Sequence, residues 1–245
     1  MSEFSRVYAS LAEVNGWMTH DQAQRLWNRS SELPAGATVV EIGSFQGRSM
    51  CVLASAATPG VALYAIDPHG GNDRGPQEIE GFAEEAESDH HVFLRNLENS
   101  GVRDRVTYLR KFANDALGDV PHDIDLLYVD GAHRFAPASQ DIRQWGAKVK
   151  NGGRLLVHDS FSSIGVTLAL VILTFWSRDW IYEGRSQSMA QFRKTRTTPA
   201  QRLRSFLSQM AQLPYFALNL IYKVLLAARL RPIAKALGST GEWPY

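Results

Sequence analysis

Two short segments of this 245-residue sequence combine carboxylate and imidazole side chains at a spacing that could support metal or acid–base chemistry. In the first, Asp130 and His133 lie three residues apart, directly after the apolar run 124–129. In the second, His158 and Asp159 follow the apolar run 155–157. Oxygen and imidazole ligands suit Mg²⁺ or Mn²⁺ better than they suit a soft metal. The spacing allows one of Asp130 and His133 to bind an ion while the other faces a substrate.

A third segment has the pattern of a small-molecule binding turn. The apolar run 38–42 contains Glu41 and leads into Gly43-Ser44-Phe45-Gln46-Gly47-Arg48-Ser49, and a second apolar run ends in Asp67. Glycine lets the backbone approach a ligand closely, and a helix N-terminus adds donors and a positive dipole. The spacing from Gly43 to Asp67 is typical of a βαβ unit whose second acid reaches a ribose. The turn reads G-x-x-x-G rather than G-x-G-x-x-G, so it lacks the pattern of a nicotinamide site.

The elements around these segments alternate between strand and helix patterns. We predict parallel strands at 38–42, 61–66, 106–109, 124–129 and 154–157, and an antiparallel edge pair at 180–184 and 189–192. Helices are predicted from the Thr19/Gln22 capping box to Ser31 and over 48–57, 82–100, 137–149 and 164–176. Residues 68–81 are predicted to form a loop over the site, and Asn151-Gly152-Gly153 to end a helix. This alternation predicts an α/β fold with a doubly wound, mostly parallel sheet, N-terminal helices and a C-terminal helical extension. The carboxyl ends of its strands would bring all the polar segments to one edge.

The glycine turn and the acid at the end of the second strand resemble the first two motifs of class I S-adenosylmethionine methyltransferases. The run V-D-G-A-H at 129–133, then Asp141 and Trp145, K-N-G-G-R at 150–154 and the pair His158-Asp159 resemble the second half of metal-dependent O-methyltransferases. The similar groups are the macrocin-type sugar O-methyltransferases, the cephalosporin-biosynthesis-like methyltransferases and actinobacterial mannoside O-methyltransferases. The resemblance covers residues 38–166.

The resemblance implies roles for individual residues. The metal, Mg²⁺ or Mn²⁺, would be bound by Asp130, His158 and Asp159, with His133 as the catalytic base. The sequence departs from the sugar enzymes at His158, where they have a second acid. S-adenosylmethionine would be bound by a larger set: Glu41, Gly43, Ser44, Gly47, Ser49, Asp67, Phe112, Ala113 and Asp130.

The implied reaction is methyl transfer to a hydroxyl of a sugar or a glycosylated natural product. An aliphatic hydroxyl is a poor nucleophile at neutral pH, and a divalent ion can lower the pKa of bound water from about 15.7 to about 7. Two alternatives remain open. The acceptor could be a phenolic or polyketide hydroxyl, or the chain could bind S-adenosylmethionine without catalysis.

The composition limits the classes of partner that the protein is expected to bind. Lys and Arg number 26 against 25 acids, so no global field favours nucleic acid, and a small-molecule or oligosaccharide acceptor is expected. The single cysteine excludes an intrachain disulfide, and the first residues show no export signal, so a cytoplasmic location is expected. We divide the chain into a methyltransferase domain, 1–195, and a helical extension, 196–245. The apolar stretch 206–237 is predicted to form a homodimer interface, a substrate-pocket wall or lid, or a helix that contacts a membrane surface.

Overall fold

A twisted sheet with helices on both faces carries the polar segments. The computed structural model describes residues 1–70, 83–121 and 123–240, with the backbone alone for 83–86. Within these residues the sheet has seven strands: β1 Thr38–Ile42, β2 Ala62–Ile66, β3 Val106–Leu109, β4 Ile124–Val129, β5 Val149–Val157, β6 Trp180–Ser186 and β7 Met189–Lys194. Their order is β3-β2-β1-β4-β5-β7-β6. The first five are parallel, and β7 is antiparallel to both β5 and β6. This is the predicted doubly wound sheet with its antiparallel edge pair.

The helices bury the two faces of the sheet in two apolar clusters. One face is covered by α1 Glu3–Ser10, α2 His20–Ser31, α3 Arg48–Ala56 and α4 Ala83–Asn99, and its core includes Leu26, Leu53 and Phe93. The other is covered by α5 Phe135–Lys148 and α6 Ile164–Leu173, and its core includes Trp145 and Phe161. The strands that are buried on both sides, β1 and β4, are continuously buried along their length, as expected for central parallel strands.

Most helix and strand ends lie at or near the positions predicted from the sequence. Helix α2 begins with the predicted capping box, in which Thr19 Oγ1 accepts from Gln22 N at 3.4 Å and Gln22 Oε1 accepts from Thr19 N at 2.7 Å. Helix α5 begins at Phe135 instead of the predicted Pro137. Proline lacks only an N–H that the first helical turn leaves unpaired, so Pro137 fits inside that turn. The predicted loop 68–81 lies largely outside the described residues.

The prediction that Asn151-Gly152-Gly153 ends a helix was wrong. Helix α5 ends at Lys148, and β5 begins immediately at Val149 and includes all three residues. The pairing with β4 jumps from Ile124↔Val149 to Leu126↔Arg154, so these residues form an irregularity within the strand. A glycine pair fits a bulge as well as a helix end, because both need backbone freedom.

Three helices follow the sheet: α7 Pro199–Met210, α8 Leu213–Ala227 and α9 Arg231–Ala236. By length and composition alone, the stretch Pro199–Ala227 passes as a candidate membrane span, because its most apolar 18-residue window has a mean hydropathy of 1.3. A turn separates α7 from α8 within it. Only 11% of its most apolar window is buried, so this stretch is mainly a surface layer.

Candidate active site

The turn after β1 is held in place by the acid at the end of β2. Asp67 Oδ2 accepts hydrogen bonds from the backbone N–H groups of Ser44 and Phe45, both at 2.9 Å. Its other oxygen, Oδ1, accepts from His69 N at 2.7 Å. Asp67 therefore orders the glycine turn before any ligand is considered. A carboxylate oxygen has more than one lone pair, so the predicted contact of Asp67 with a ribose remains open to it.

His69 also contacts this turn. Its Nε2 lies 2.7 Å from the carbonyl oxygen of Phe45, and its Nδ1 lies 2.5 Å from the hydroxyl of Tyr108 on β3. The sequence analysis did not single out this histidine. A signal was present, because His69 follows the strand-end acid by two residues, within reach of the same turn.

Gly43 is required for a reason that the sequence did not reveal. It adopts φ +84°, a conformation that favours glycine, and an added Cβ would lie 2.3 Å from the carbonyl oxygen of Asp130. A close approach of Gly43 to the end of β4 therefore adds to the predicted approach to a ligand, which stays a prediction. Gly47, with φ +85°, precedes helix α3 and packs against Phe93. The turn after β1 is thus fitted directly against the strand end that carries Asp130.

Glu41 is the next-to-last residue of β1, and its side chain is fully buried. Burial raises its pKa to about 8, and the hydroxyls of Ser49 and Ser44 offset this only in part. Neither carboxylate oxygen meets a donor in hydrogen-bond geometry among the described residues, and Ser44 Oγ likewise lacks one. A buried carboxyl without a partner is costly, and a cationic ligand group beside it would relieve that cost.

Asp130, His133 and Asp159 meet where β4 and β5 end. One potential ligand atom from each lies within 4.8 Å of the others, which is a suitable arrangement for one metal ion. His133 Nε2 lies 2.7 Å from Asp159 Oδ2. These side chains line a pocket together with the buried ring of His158 and the apolar side chains of Ile142 and Val166. The predicted convergence at the sheet edge is therefore present.

His158 lies beside both acids of the predicted ligand set, and its role as a metal ligand stays a prediction. Its ring is buried, and Nδ1 lies 3.2 Å from Asp130 Oδ1 and 3.5 Å from Asp159 Oδ2, at ion-pair distance but without hydrogen-bond geometry. Burial lowers the pKa of His158, but the charges of Asp130 and Asp159 outweigh burial and raise it well above its ordinary value. The two acids therefore favour the protonated form of His158, which lies within ion-pair distance of both. The metal-compatible cluster contains His133 in its place.

Asp159 is held in its charged form by this arrangement. Burial acts to raise its pKa, but the charge of His158 and the hydrogen bond and charge of His133 lower it far below the usual range. Tyr128 adds a further contact, because its hydroxyl donates to Asp130 Oδ2 at 2.9 Å. The sequence analysis missed Tyr128. The period of two along a strand offered the signal, since it places Tyr128 and Asp130 on the same side of β4.

Two residues near the start of α6 position the loop of His133. Ser163 Oγ donates to the carbonyl oxygen of His133 at 3.1 Å. Gly165 packs so closely that an added Cβ would lie 2.3 Å from the same oxygen. No sequence pattern identifies either contact, because each joins segments about thirty residues apart through the packing of α5 on α6.

The predicted adenine-binding pair differs in exposure. The side chain of Phe112 is 65% exposed at the end of β3, a large apolar ring with room for a partner. The carbonyl oxygen of Ala113 accepts from Trp145 Nε1 at 3.2 Å, and Trp145 is fully buried in the core. A backbone contact of Ala113 with a ligand could use its N–H group or the second lone pair of its carbonyl oxygen.

Residues 40–160 match the sequence profile of a family described as a methyltransferase domain. Among solved structures, cofactor-bound Rv0187 from MTB is 16% identical, with a TM-score of 0.54 over 80% of this chain and 88% of that chain. The O-methyltransferase NovP is 19% identical, with a TM-score of 0.55 over 72% and 80% of the two chains. The O-methyltransferase TomG from Streptomyces achromogenes, in complex with SAM, is 18% identical, with a TM-score of 0.53 over 78% and 88%.

The sheet order and these comparisons define the fold as that of a class I methyltransferase. The family match places a methyltransferase domain on the glycine turn, on β4 and on the beginning of the loop after β5. Residues 40–160 thus carry a methyltransferase domain, and the described sheet has the Rossmann-like fold of class I methyltransferases.

Proposed function

We propose that the protein is an S-adenosylmethionine-dependent, divalent-metal-dependent O-methyltransferase that acts on a hydroxyl of a sugar or glycosylated natural product. The observation that carries the proposal is the cluster of Asp130, His133 and Asp159 directly beside the glycine turn. The O-methyltransferase names of NovP and TomG support the same reaction type. TomG is described as involved in tomaymycin synthesis, which supports a natural-product acceptor.

The cofactor would lie across the ends of β1 and β2. The unpartnered carboxyl of Glu41 fits the ammonium of the cofactor's methionine part, and Asp67 fits the ribose. Phe112 offers its exposed ring to the adenine. The remaining predicted contacts follow from the turn and the neighbouring strand end: Gly43, Ser44, Gly47, Ser49, Ala113 and Asp130.

A divalent ion fits the second half of the site. Asp130 and Asp159 would hold it, and His133 lies beside them, with one potential ligand atom within 4.8 Å of theirs. When bound, Mg²⁺ or Mn²⁺ would lower the pKa of an acceptor hydroxyl. His158 places a positive charge behind both acids, which weakens the attraction of this site for a cation relative to a site with a second acid at that position.

His133 would receive the proton of the acceptor hydroxyl. Asp159 fixes the orientation of its ring through the contact at Nε2, and Ser163 fixes its backbone. Orientation of this kind is what allows a base to act on an aligned nucleophile. In this proposal Asp159 aligns the ring and His133 transfers the proton, which the distance of 2.7 Å between them supports.

Labelled S-adenosylmethionine with a panel of saccharide and phenolic acceptors tests the proposal. We expect methyl transfer to saccharide hydroxyls that is lost in EDTA and restored by Mg²⁺ or Mn²⁺. Asp130→Asn should lose this activity, while Asp119→Asn, an exposed acid paired with Lys111, should retain it. Full activity in chelator would overturn the metal assignment. Turnover with phenols alone would move the acceptor to that class, and cofactor binding without turnover would indicate a non-catalytic binder.

The homodimer and the cytoplasmic location stay predictions that belong to this proposal. Sedimentation velocity of the purified protein and fractionation of cells that express it would measure them.

A further inference from the structure

Helix α8 buries polar side chains against the domain, while three of its apolar side chains, Leu218, Ile221 and Val224, are exposed. Asn219 and Tyr222 are buried, and Lys223 is half-buried. Asn219 Nδ2 donates to the carbonyl oxygen of Phe161 at 3.0 Å, and Lys223 Nζ donates to that of Ser162 at 2.9 Å. A helix on the surface of a globular protein normally has the opposite arrangement, with its polar face toward water.

The outward side of α8 continues into α9 as an apolar surface. Val224 is 67% exposed and Ile233 is 49% exposed. We call the exposed apolar side chains of these two helices and the turns beside them the C-terminal apolar face: Leu218, Ile221, Val224, Leu230, Ile233 and Leu237. A contiguous surface of this kind indicates an interaction with another apolar phase.

The charges near this face indicate what kind of partner it binds. Residues 184–245 contain ten of the 26 Lys and Arg residues but only one of the 25 acids, Glu242. Arg229, Arg231 and Lys235 are exposed at the α8–α9 junction and on α9, next to the apolar side chains. The first 183 residues have the opposite balance, with 16 basic residues and 24 acids.

We propose that the C-terminal apolar face binds the surface of an anionic lipid membrane. An amphipathic surface helix inserts its apolar side about 5–10 Å into the boundary between headgroups and acyl chains, and Lys and Arg beside it bind anionic headgroups. The polar contacts of Asn219 and Lys223 with the domain keep α8 lying flat on the protein. In a symmetric dimer built on this face, the basic residues of two copies would face each other, and like charges in an interface oppose association.

Vesicle co-sedimentation of the full chain tests this proposal without cofactor, metal or acceptor, so its result does not depend on the proposed reaction. We expect binding to vesicles that contain phosphatidylglycerol, little binding to pure phosphatidylcholine vesicles, and loss of binding at high salt. Each basic charge near the surface contributes about a fivefold change in affinity, so Arg229→Gln/Arg231→Gln/Lys235→Gln should weaken binding on the order of 100-fold.

Two further variants complete the experiment. Val224→Glu places a charge on the apolar face at an exposed position, so it should abolish vesicle binding while circular dichroism shows an unchanged fold. Arg103→Gln removes an exposed positive charge outside the C-terminal region and should bind as the wild type does. Absence of binding to phosphatidylglycerol vesicles would overturn the proposal. A concentration-dependent dimer that Val224→Glu dissociates, without vesicle binding, would assign the face to a second copy instead.

Discussion

Glu41 is the residue whose ionisation should report the cofactor most directly. A carboxyl whose pKa is raised in the folded protein, here from 4.5 to about 8, stabilises the fold most at low pH. That contribution is lost as the pH rises from about 4.5 through about 8. The cofactor-free protein should therefore become less stable over this interval, whereas an ammonium placed beside Glu41 would favour the charged form.

From this follows a prediction on proton release. At pH 7, binding of S-adenosylmethionine should release up to one proton, because Glu41 changes from neutral to charged. Calorimetry in buffers of different ionisation enthalpy measures this number directly. In Glu41→Gln the release should disappear and the affinity should fall. The same proton release in the variant as in the wild type would exclude Glu41 as the partner of the ammonium.

His133 should affect turnover rather than cofactor binding. A general base typically contributes about 10²–10⁴-fold, so His133→Ala should lower kcat by that order and leave the affinity for S-adenosylmethionine nearly unchanged. Steady-state kinetics and calorimetry on the same preparation provide the two values. If His133→Ala retains most of its kcat while His158→Ala loses it, the roles of the two histidines are the reverse of those proposed.

The buried charge of His158 leads to a prediction with opposite effects on stability and metal binding. His158→Asp replaces a cation by a third acid beside Asp130 and Asp159. Breaking a buried ion pair costs roughly 3–5 kcal/mol, so the metal-free variant should unfold at much lower denaturant concentration. Mn²⁺ should stabilise this variant more than it stabilises the wild type, with His158→Asn as the neutral control. Equal stabilisation by Mn²⁺ in all three proteins would argue against a metal at these acids.

At the scale of elements, two adjacent glycines in the irregular part of β5 have different surroundings, although they look equivalent in sequence. An added Cβ at Gly153 would lie 2.7 Å from Val149 Cγ1 and 2.8 Å from the carbonyl oxygen of Ile124, whereas Gly152 has nothing within 4 Å. Gly153→Ala should therefore destabilise the protein by about 1–3 kcal/mol through overpacking. Gly152 has φ +88°, so Gly152→Asn, a residue that tolerates this conformation, should cost less. Urea denaturation compares them, and an equal loss in both would contradict the close packing at Gly153.

The same region shows what sequence alone could and could not predict. The strand patterns of β1 and β4 and the capping box of α2 depend on local periodicity and local hydrogen bonds, so they were predictable. The edge pair β6–β7 was expected from the fold that the resemblance implies. The convergence of Asp130, His133 and Asp159 followed from the rule that parallel strands end at one edge. The position of His158 behind the acids did not follow, because it depends on which way a side chain turns at a strand end. The contacts of Gly43 and Gly165 depend on distances between elements, which a spacing rule does not contain.

At the scale of the whole molecule, ligand binding should appear as global stabilisation. A ligand at 100 times its Kd adds about 2.7 kcal/mol to the folded state, and for a chain of this size each kcal/mol shifts the Tm by about 2–4 °C. S-adenosylmethionine should therefore raise the Tm by about 5–10 °C, and NAD should not change it. Asp67→Ala should lower or remove the shift. Stabilisation by NAD, or an unchanged shift in Asp67→Ala, would overturn the cofactor assignment.

The contact between Gly43 and the carbonyl oxygen of Asp130 leaves no room for a methyl group between the turn that would hold the cofactor and the strand end that would hold the metal. The two ligands would thus share one piece of backbone, and whichever arrives first orders it for the other. Thermodynamic reciprocity then requires that each ligand change the affinity of its neighbour by the same factor. Mn²⁺ titrations with and without the demethylated cofactor should reveal that factor, and a ratio of one would show that the halves act independently. A factor above one would mean that either ligand can bind first and that each strengthens the binding of the other across a single glycine.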